Sequence, residues 1–392
     1  MVSERMKGLG TARSVIRELF EYGKLRAAQV GAENVFDFSI GNPSVPTPGA
    51  VNETAARLLA QRPDIHQYTS AQGDAEARER FAGSLNRRFG ADCTGNELYI
   101  TVGAAASLCC VFNGLTCPGD EFIVFAPYFP EYKVFIEGAG AKMVLIPPEI
   151  EGFQIDFDAF EDALNEHTKG VLVNSPNNPS GVVYSRKTLE RLAEILGEKS
   201  REFGHPIYLI SDEPYREIVY AGTEVPWVPH IYPNTIVCYS FSKSLSLPGE
   251  RIGYVLVPSR VEDARDVYAA VAGAGRSLGY VNAPSLFQQV TSLCCDMTSD
   301  LRVYEENRNL FVSSLREMGY HVVEPGGAFY LFPRSLEPDD AAFSERAKKL
   351  DLLVVPGGGF GAPGHVRISY CVQTETIRRA LPKFQALADS YR

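Results

Sequence analysis

Between residues 97 and 257 the chain alternates short apolar runs with longer segments of mixed character. The runs at 97–102, 121–125, 141–146, 170–173, 206–210, 235–239 and 252–257 are short and apolar, which predicts buried strands. The segments at 104–115, 130–138, 158–166 and 189–203 predict helices between them. This alternation implies an α/β fold, a mostly parallel sheet covered by helices on both faces and joined by right-handed crossovers. In such sheets ligands gather at the carboxyl ends of the strands.

Outside this region the pattern changes. Residues 12–28 place Val15, Ile16, Leu19, Phe20 and Leu25 at mostly helical spacing, and 34–40 reads as a strand. The prolines at 43, 46 and 48 then exclude helix, because proline removes donors and restricts the residue before it. Beyond 257, long helical segments are expected at 259–271 and 285–318. A smaller α+β unit follows, with strands at 321–323, 328–332 and 352–355 and helices at 341–350 and from 374.

Length and composition narrow the function classes. A chain of 392 residues has room for two or three domains. The formal charge of −10 and the scattered lysines and arginines argue against partners such as nucleic acid or anionic membranes. The eight cysteines include no Cys-x-x-Cys and lie mostly in apolar surroundings, as expected of free thiols in a reducing compartment. No run approaches the roughly 20 apolar residues of a membrane span, and 1–10 does not read as a signal peptide, so the cytoplasm is expected. The six histidines show no metal-ligand spacing, and Gly357-Gly358-Gly359 lacks the dinucleotide-binding pattern.

The chemistry concentrates where strands end. Lys243 stands just past the run 235–239 in Ser240-Phe241-Ser242-Lys243, with Arg251 eight residues further on. Partial loss of hydration there lowers an amine's pKa and makes it a nucleophile toward carbonyls. The first strand runs into Gly103-Ala104-Ala105, a helix start whose exposed N–H groups and dipole suit a phosphate. Asp212 ends the run at 206–210 with Tyr215 three residues on, and Asn174-Ser175-Pro176-Asn177-Asn178-Pro179-Ser180-Gly181 follows the run at 170–173.

Taken together these segments resemble the class I/II aminotransferases, the aspartate aminotransferase-like, fold-type-I enzymes that use pyridoxal 5'-phosphate (PLP). The resemblance implies that Lys243 carries PLP as an internal aldimine, while Ser240, Arg251 and the backbone of Gly103, Ala104 and Ala105 hold the phosphate. Phe129, in Pro127-Tyr128-Phe129-Pro130, would stack on the pyridine ring. Asn178 and Tyr215 would bond its phenolic oxygen, and Asp212 would keep its nitrogen protonated. Arg367, in Val366-Arg367-Ile368-Ser369, would pair with the substrate α-carboxylate, with Asn178 and the backbone at Gly41 beside it. Tyr68, in Tyr68-x-x-x-x-Gly73, would reach the phosphate of a partner subunit, so a homodimer is expected. After Gly73 the chain departs from the family pattern with Asp74, Ala77 and Arg78.

The resemblance further implies a mostly parallel seven-stranded sheet sandwiched by helices in a large domain at 46–287, and a small domain built from 1–45 plus 288–392. The implied activity is transfer of an amino group between an L-amino acid and a 2-oxo acid. The same residues would also serve a carbon–sulfur β-lyase, or a PLP-binding regulator without activity. In one branch of the family a lysine serves dicarboxylic substrates at the position where this chain has Ala105, so the amino donor stays open.

Overall fold

In the computed structural model, which describes residues 2–11 and 14–392, the chain forms two units: Val45–Leu301 with Gly326–Ala328, and Met1–Ser44 with Arg302–Pro325 and Phe329–Arg392. The first unit is organised by a seven-stranded sheet. Its strands are β1 (Leu98–Thr101), β2 (Glu121–Phe125), β3 (Lys142–Ile146), β4 (Thr168–Asn174), β5 (Tyr208–Asp212), β6 (Thr235–Ser240) and β7 (Gly253–Leu256). Their spatial order is β1-β7-β6-β5-β4-β2-β3. Neighbours from β6 to β3 pair in parallel, whereas β7 runs antiparallel to both β6 and β1. Six strands therefore share one direction. The carboxyl ends of all six, and the start of β7, lie along one edge of the sheet.

Both faces of that sheet are covered. Phe122, Val124, Leu172, Ile210 and Ile236 pack to one side with Phe112 and Tyr132. The alternate residues Ile123, Val171, Val173 and Leu209 pack to the other with Leu192 and Leu196. On that second side, Val237, Tyr239 and Tyr254 meet Phe81 and Leu85. Strands buried on both faces read as continuous apolar runs, which explains why they were visible in the sequence.

The helices Gly49–Gln61 and Ala75–Phe89 were not expected. The second buries Ala77, Ala82 and Ser84 beside Phe81 and Leu85, and small residues weaken the apolar periodicity. Asp74 is its N-cap, accepting from Ala77 N at 2.9 Å, so the departure after Gly73 has a local structural job. The expected long helix at 285–318 is two helices, Ser285–Leu293 and Arg302–Glu317. The domain boundary expected at 287/288 falls inside the first of them. Gln288 accepts from Asp74 N at 2.7 Å and donates to Ala283 O, and the larger unit extends to Leu301.

The second unit contains both chain ends. Val355–Pro356, Val366–Ser369 and Tyr330–Leu331 form a small antiparallel sheet in that order, and Phe36–Asp37 pairs in parallel with Leu352–Leu353. Its helices are Val15–Val30, Asp340–Lys349 and Thr374–Asp389 together with Arg302–Glu317, and Phe38, Phe311 and Phe384 pack with centroids 5.2–6.0 Å apart. Of the helix expected at 12–28, positions 12 and 13 lie outside the described residues. No strand forms at 321–323. There the carbonyls of His321 and Val322 accept instead from Arg334 N and the Arg316 guanidinium, each at 3.0 Å.

Phe122 is fully buried and meets Phe112 edge-on at 5.0 Å. Phe122→Ala is expected to lower the unfolding free energy by about 3–5 kcal/mol, checked by urea denaturation.

Candidate active site

The sequence-predicted residues of the larger unit other than Tyr68 collect along the strand-end edge of its sheet. Register puts Asn174, Asp212 and Cys238 side by side across β4, β5 and β6, and Ser240 and Thr101 both beside Gly253. Gly103 and Arg251, which flank the antiparallel pair β1 and β7, therefore come together. A Cβ added at Gly103 would stand 2.8 Å from Arg251 Nη2, and Gly103 holds φ at +94°, a backbone conformation that side chains rarely adopt. The helix Ala104–Leu115 starts there with no side-chain cap. Its first N–H groups, those of Ala104 and Ala105 included, lack intrahelical acceptors, and the adjacent guanidinium makes the spot an anion cradle.

Lys243 rides on a single helical turn, Phe241–Ser244, that follows β6 directly and leaves it half-buried. Ser240 is the N-cap of that turn: its Oγ accepts from Ser242 N at 3.1 Å and lies 2.7 Å from Ser242 Oγ. Between the lysine and Arg251, Ser246 and Arg251 both hold φ at +54°. Non-glycine residues adopt this region at a cost of about 1 kcal/mol each. Arg251 is held there by a bond from Nη1 to Pro248 O at 3.0 Å.

Asp212 is the electrostatic centre of this edge. Its Oδ2 accepts from Tyr132 Oη and, at 3.4 Å, from Asn174 Nδ2, while Oδ1 is buried with no hydrogen-bond partner among the described residues. Burial pushes its pKa up to about 7; the Tyr132 hydroxyl opposes that rise and the nearby Glu213 charge adds to it. Asn174 also donates to Asp212 O at 2.9 Å and accepts from Asn178 N at 2.8 Å, so it fixes Asn178 and Asp212 together. Asn178 and Tyr215 are both buried nearby in the chain, and half-buried Phe129 meets Tyr132 edge-on at 5.6 Å.

Two expected residues are placed differently. Tyr68 is 95% exposed on a loop held by Asn282 Nδ2, which donates to Thr69 O and Ser70 O at 3.1 and 2.8 Å. Arg367 belongs to the other unit, where it is buried. Its guanidinium lies 4.9 Å from the Tyr330 ring centroid and 5.0 Å from that of Phe360, and donates to Ser39 O. Gly41 is in that unit too. A Cβ there would clash with the Tyr330 hydroxyl, so the aromatic wall beside Arg367 itself requires glycine.

Sequence reasoning missed Tyr132 and Asn174 as supports of Asp212, although both occur in the segments it singled out. Glu213 is buried, pairs with Arg216 and accepts from Ser211 Oγ at 2.7 Å.

An acid whose pKa is raised on folding costs stability as pH climbs from its unfolded value toward its folded one. For Asp212 that window runs from about 4 to about 7. Tyr132→Phe removes a donor to the charged form, worth about 1.5–3 kcal/mol, so it should lower the thermal midpoint of the cofactor-free protein more at pH 8 than at pH 4.5. A pH-independent loss would count against this role for Tyr132.

The family model described as aminotransferase class I and II matches residues 33–384. An aspartate aminotransferase of Thermotoga maritima is 32% identical over 394 residues, covering 100% of each chain. The crystal structure of an aminotransferase from Eubacterium rectale superposes with a TM-score of 0.98 at 56% identity, covering 100% of this chain and 99% of that one. That of the Thermus thermophilus aspartate aminotransferase with maleate superposes with a TM-score of 0.86 at 30% identity, covering 99% of each. The chain belongs to the class I and II aminotransferases.

Proposed function

We propose that the protein moves an amino group between an L-amino acid and a 2-oxo acid with PLP held on Lys243, and the observation that carries this reading is the buried Oδ1 of Asp212, which has no hydrogen-bond partner among the described residues. Asp212 would hold a protonated ring nitrogen at this oxygen, and the ion pair would keep its carboxylate charged. The anion cradle at Gly103, Ala104, Ala105 and Arg251, completed by Ser240, suits the phosphate. Bound there, PLP supplies an electron sink for the charge left when the substrate's α-proton departs.

The remaining steps belong to the chain's own side chains. Once the substrate's amino group has displaced it, Lys243 Nζ would take the proton from the substrate α-carbon as general base and, as general acid, would deliver it to the carbon that had borne the cofactor's aldehyde. Asp212 would hold the proton on the ring nitrogen, with Tyr132 and Asn174 orienting its carboxylate. Asn178 and Tyr215 would hold the phenolic oxygen as donors, and Phe129 would stack on the ring. Arg367 takes the α-carboxylate bidentately, a geometry lysine cannot supply. Its flanking rings fix the plane of the guanidinium before substrate arrives, which lowers the ordering cost of binding.

The eight cysteines are all free thiols, which supports a reducing compartment such as the cytoplasm. No described helix is long and apolar enough to cross a membrane. The exposure of Tyr68 on a braced loop supports a homodimer in which it completes the partner's phosphate site.

Lys243→Ala should abolish transamination and remove the visible absorption change that amino acids produce in the PLP-loaded protein. Retained turnover would overturn the assignment. A panel of amino acids, with 2-oxo acid, ammonia and pyruvate assayed together, names the donor and separates transfer from elimination.

Tyr68→Ala and Lys243→Ala should each be inactive alone. Mixed and reassorted, they should recover about a quarter of the parent activity, because half the dimers are hybrids with one intact site of two. No recovery after proven exchange of subunits would remove Tyr68 from a shared site.

A further inference from the structure

A helix of four residues cannot sustain itself, since nucleation is unfavourable and only one or two bonds are gained. The turn that carries Lys243 must therefore be held from outside. Ser240 caps its start, as described. Its end is held by two groups distant in sequence. Ser244 O accepts from Ser299 N at 2.8 Å and lies 3.3 Å from Ser299 Oγ, a contact made by the break between helices Ser285–Leu293 and Arg302–Glu317. Ser244 Oγ lies 2.9 Å from Tyr239 Oη, which is 2.8 Å from Glu217 Oε2, and Glu217 Oε1 pairs with Arg88 Nη2 at 2.8 Å.

The direction of this chain follows from its chemistry. A carboxylate only accepts and a tyrosine has one proton, so Tyr239 donates to Glu217 and Ser244 donates to Tyr239. All three side chains are buried, Glu217 to 5% exposure, and hydrogen bonds to a buried charge are about twice as strong as neutral ones. Ser244 is the residue after Lys243, so its bond sets how the last part of the turn is rotated.

We infer that Glu217 and Tyr239, acting through Ser244, are positioning residues for Lys243: they brace the far side of its turn and fix where its amine stands. They approach from the sheet face opposite Asp212, since Tyr239 and Ser240 point to opposite sides of β6. The inference rests on Lys243 as the reactive amine, but the brace can be tested apart from that.

Tyr239→Phe keeps the ring and deletes only the hydroxyl. In the cofactor-free protein, amide hydrogen exchange across 241–245 should quicken by at least about tenfold, while exchange across 104–115 stays unchanged. In the loaded enzyme kcat should fall by roughly tenfold to a hundredfold with KM within about twofold, because misplacement by a fraction of an ångström affects the proton transfer rather than binding. Ser244→Ala cuts the same chain at its other end and should reproduce both effects, with the double variant no worse than either single one. Should Tyr239→Phe fail to fold, Ser244→Ala carries the test. Unchanged exchange at 241–245, acceleration spread evenly over the fold, or additive losses would overturn the brace. Full activity of Lys243→Ala would instead refute the assignment of the lysine and leave the exchange result standing.

Discussion

A carboxylate buried without a cation costs several kcal/mol, and the larger unit accepts that cost at Asp212. The surrounding architecture offsets part of it. Tyr132 comes from the first turn of the helix Glu131–Gly138 and Asn174 from the end of β4, so two separate elements must be in place before Asp212 has its donors. What they leave open is one oxygen. A group that brings a positive N–H to it binds the folded state and not the unfolded one, so binding also adds stability by mass action. The same oxygen that makes the protein less stable alone makes it a receptor.

The sheet was legible because its strands are buried on both faces and interrupted by glycine, proline and asparagine. The helix Ala104–Leu115 was legible from its apolar run. What did not show were elements defined by partners. The helix Ala75–Phe89 hides its buried side in Ala77, Ala82 and Ser84, and the two-residue strands of the smaller unit are too short for any period to register. The break after Leu293 is fixed by Ser299 reaching back to Ser244, a contact with no local signature.

The candidate site divides along the same line. Gly103, Asn178, Asp212, Ser240, Lys243 and Arg251 each sit at a strand end, where a short motif is itself the structural signal. Tyr132 and Asp212 are 80 residues apart, and Tyr239 and Glu217 22 apart; register and crossover joined them. A tyrosine in an apolar run reads as core. Only the fold shows that the hydroxyl of Tyr132 faces a carboxylate on one side of the sheet and that of Tyr239 another on the opposite side.

Asp212 and Glu213 show why the type of residue alone could not separate a functional carboxylate from a structural one. They are adjacent, both buried, and successive residues at a strand end face opposite ways. Glu213 turns toward Arg216, whose guanidinium lies 5.1 Å from the ring of Phe89 and 5.0 Å from that of Trp227. Its second oxygen takes the Ser211 hydroxyl, so its charge is neutralised and its hydrogen bonding complete. Such a pair locks the segment after β5 in place but offers nothing to a ligand, because breaking it would strand a buried charge. Asp212 turns toward Tyr132, which donates a proton but no charge. The difference between the two is therefore the charge of the partner each meets. A neutral donor leaves a carboxylate able to recruit a cation, and this separates the ligand-facing side of the strand end from the side that holds the fold.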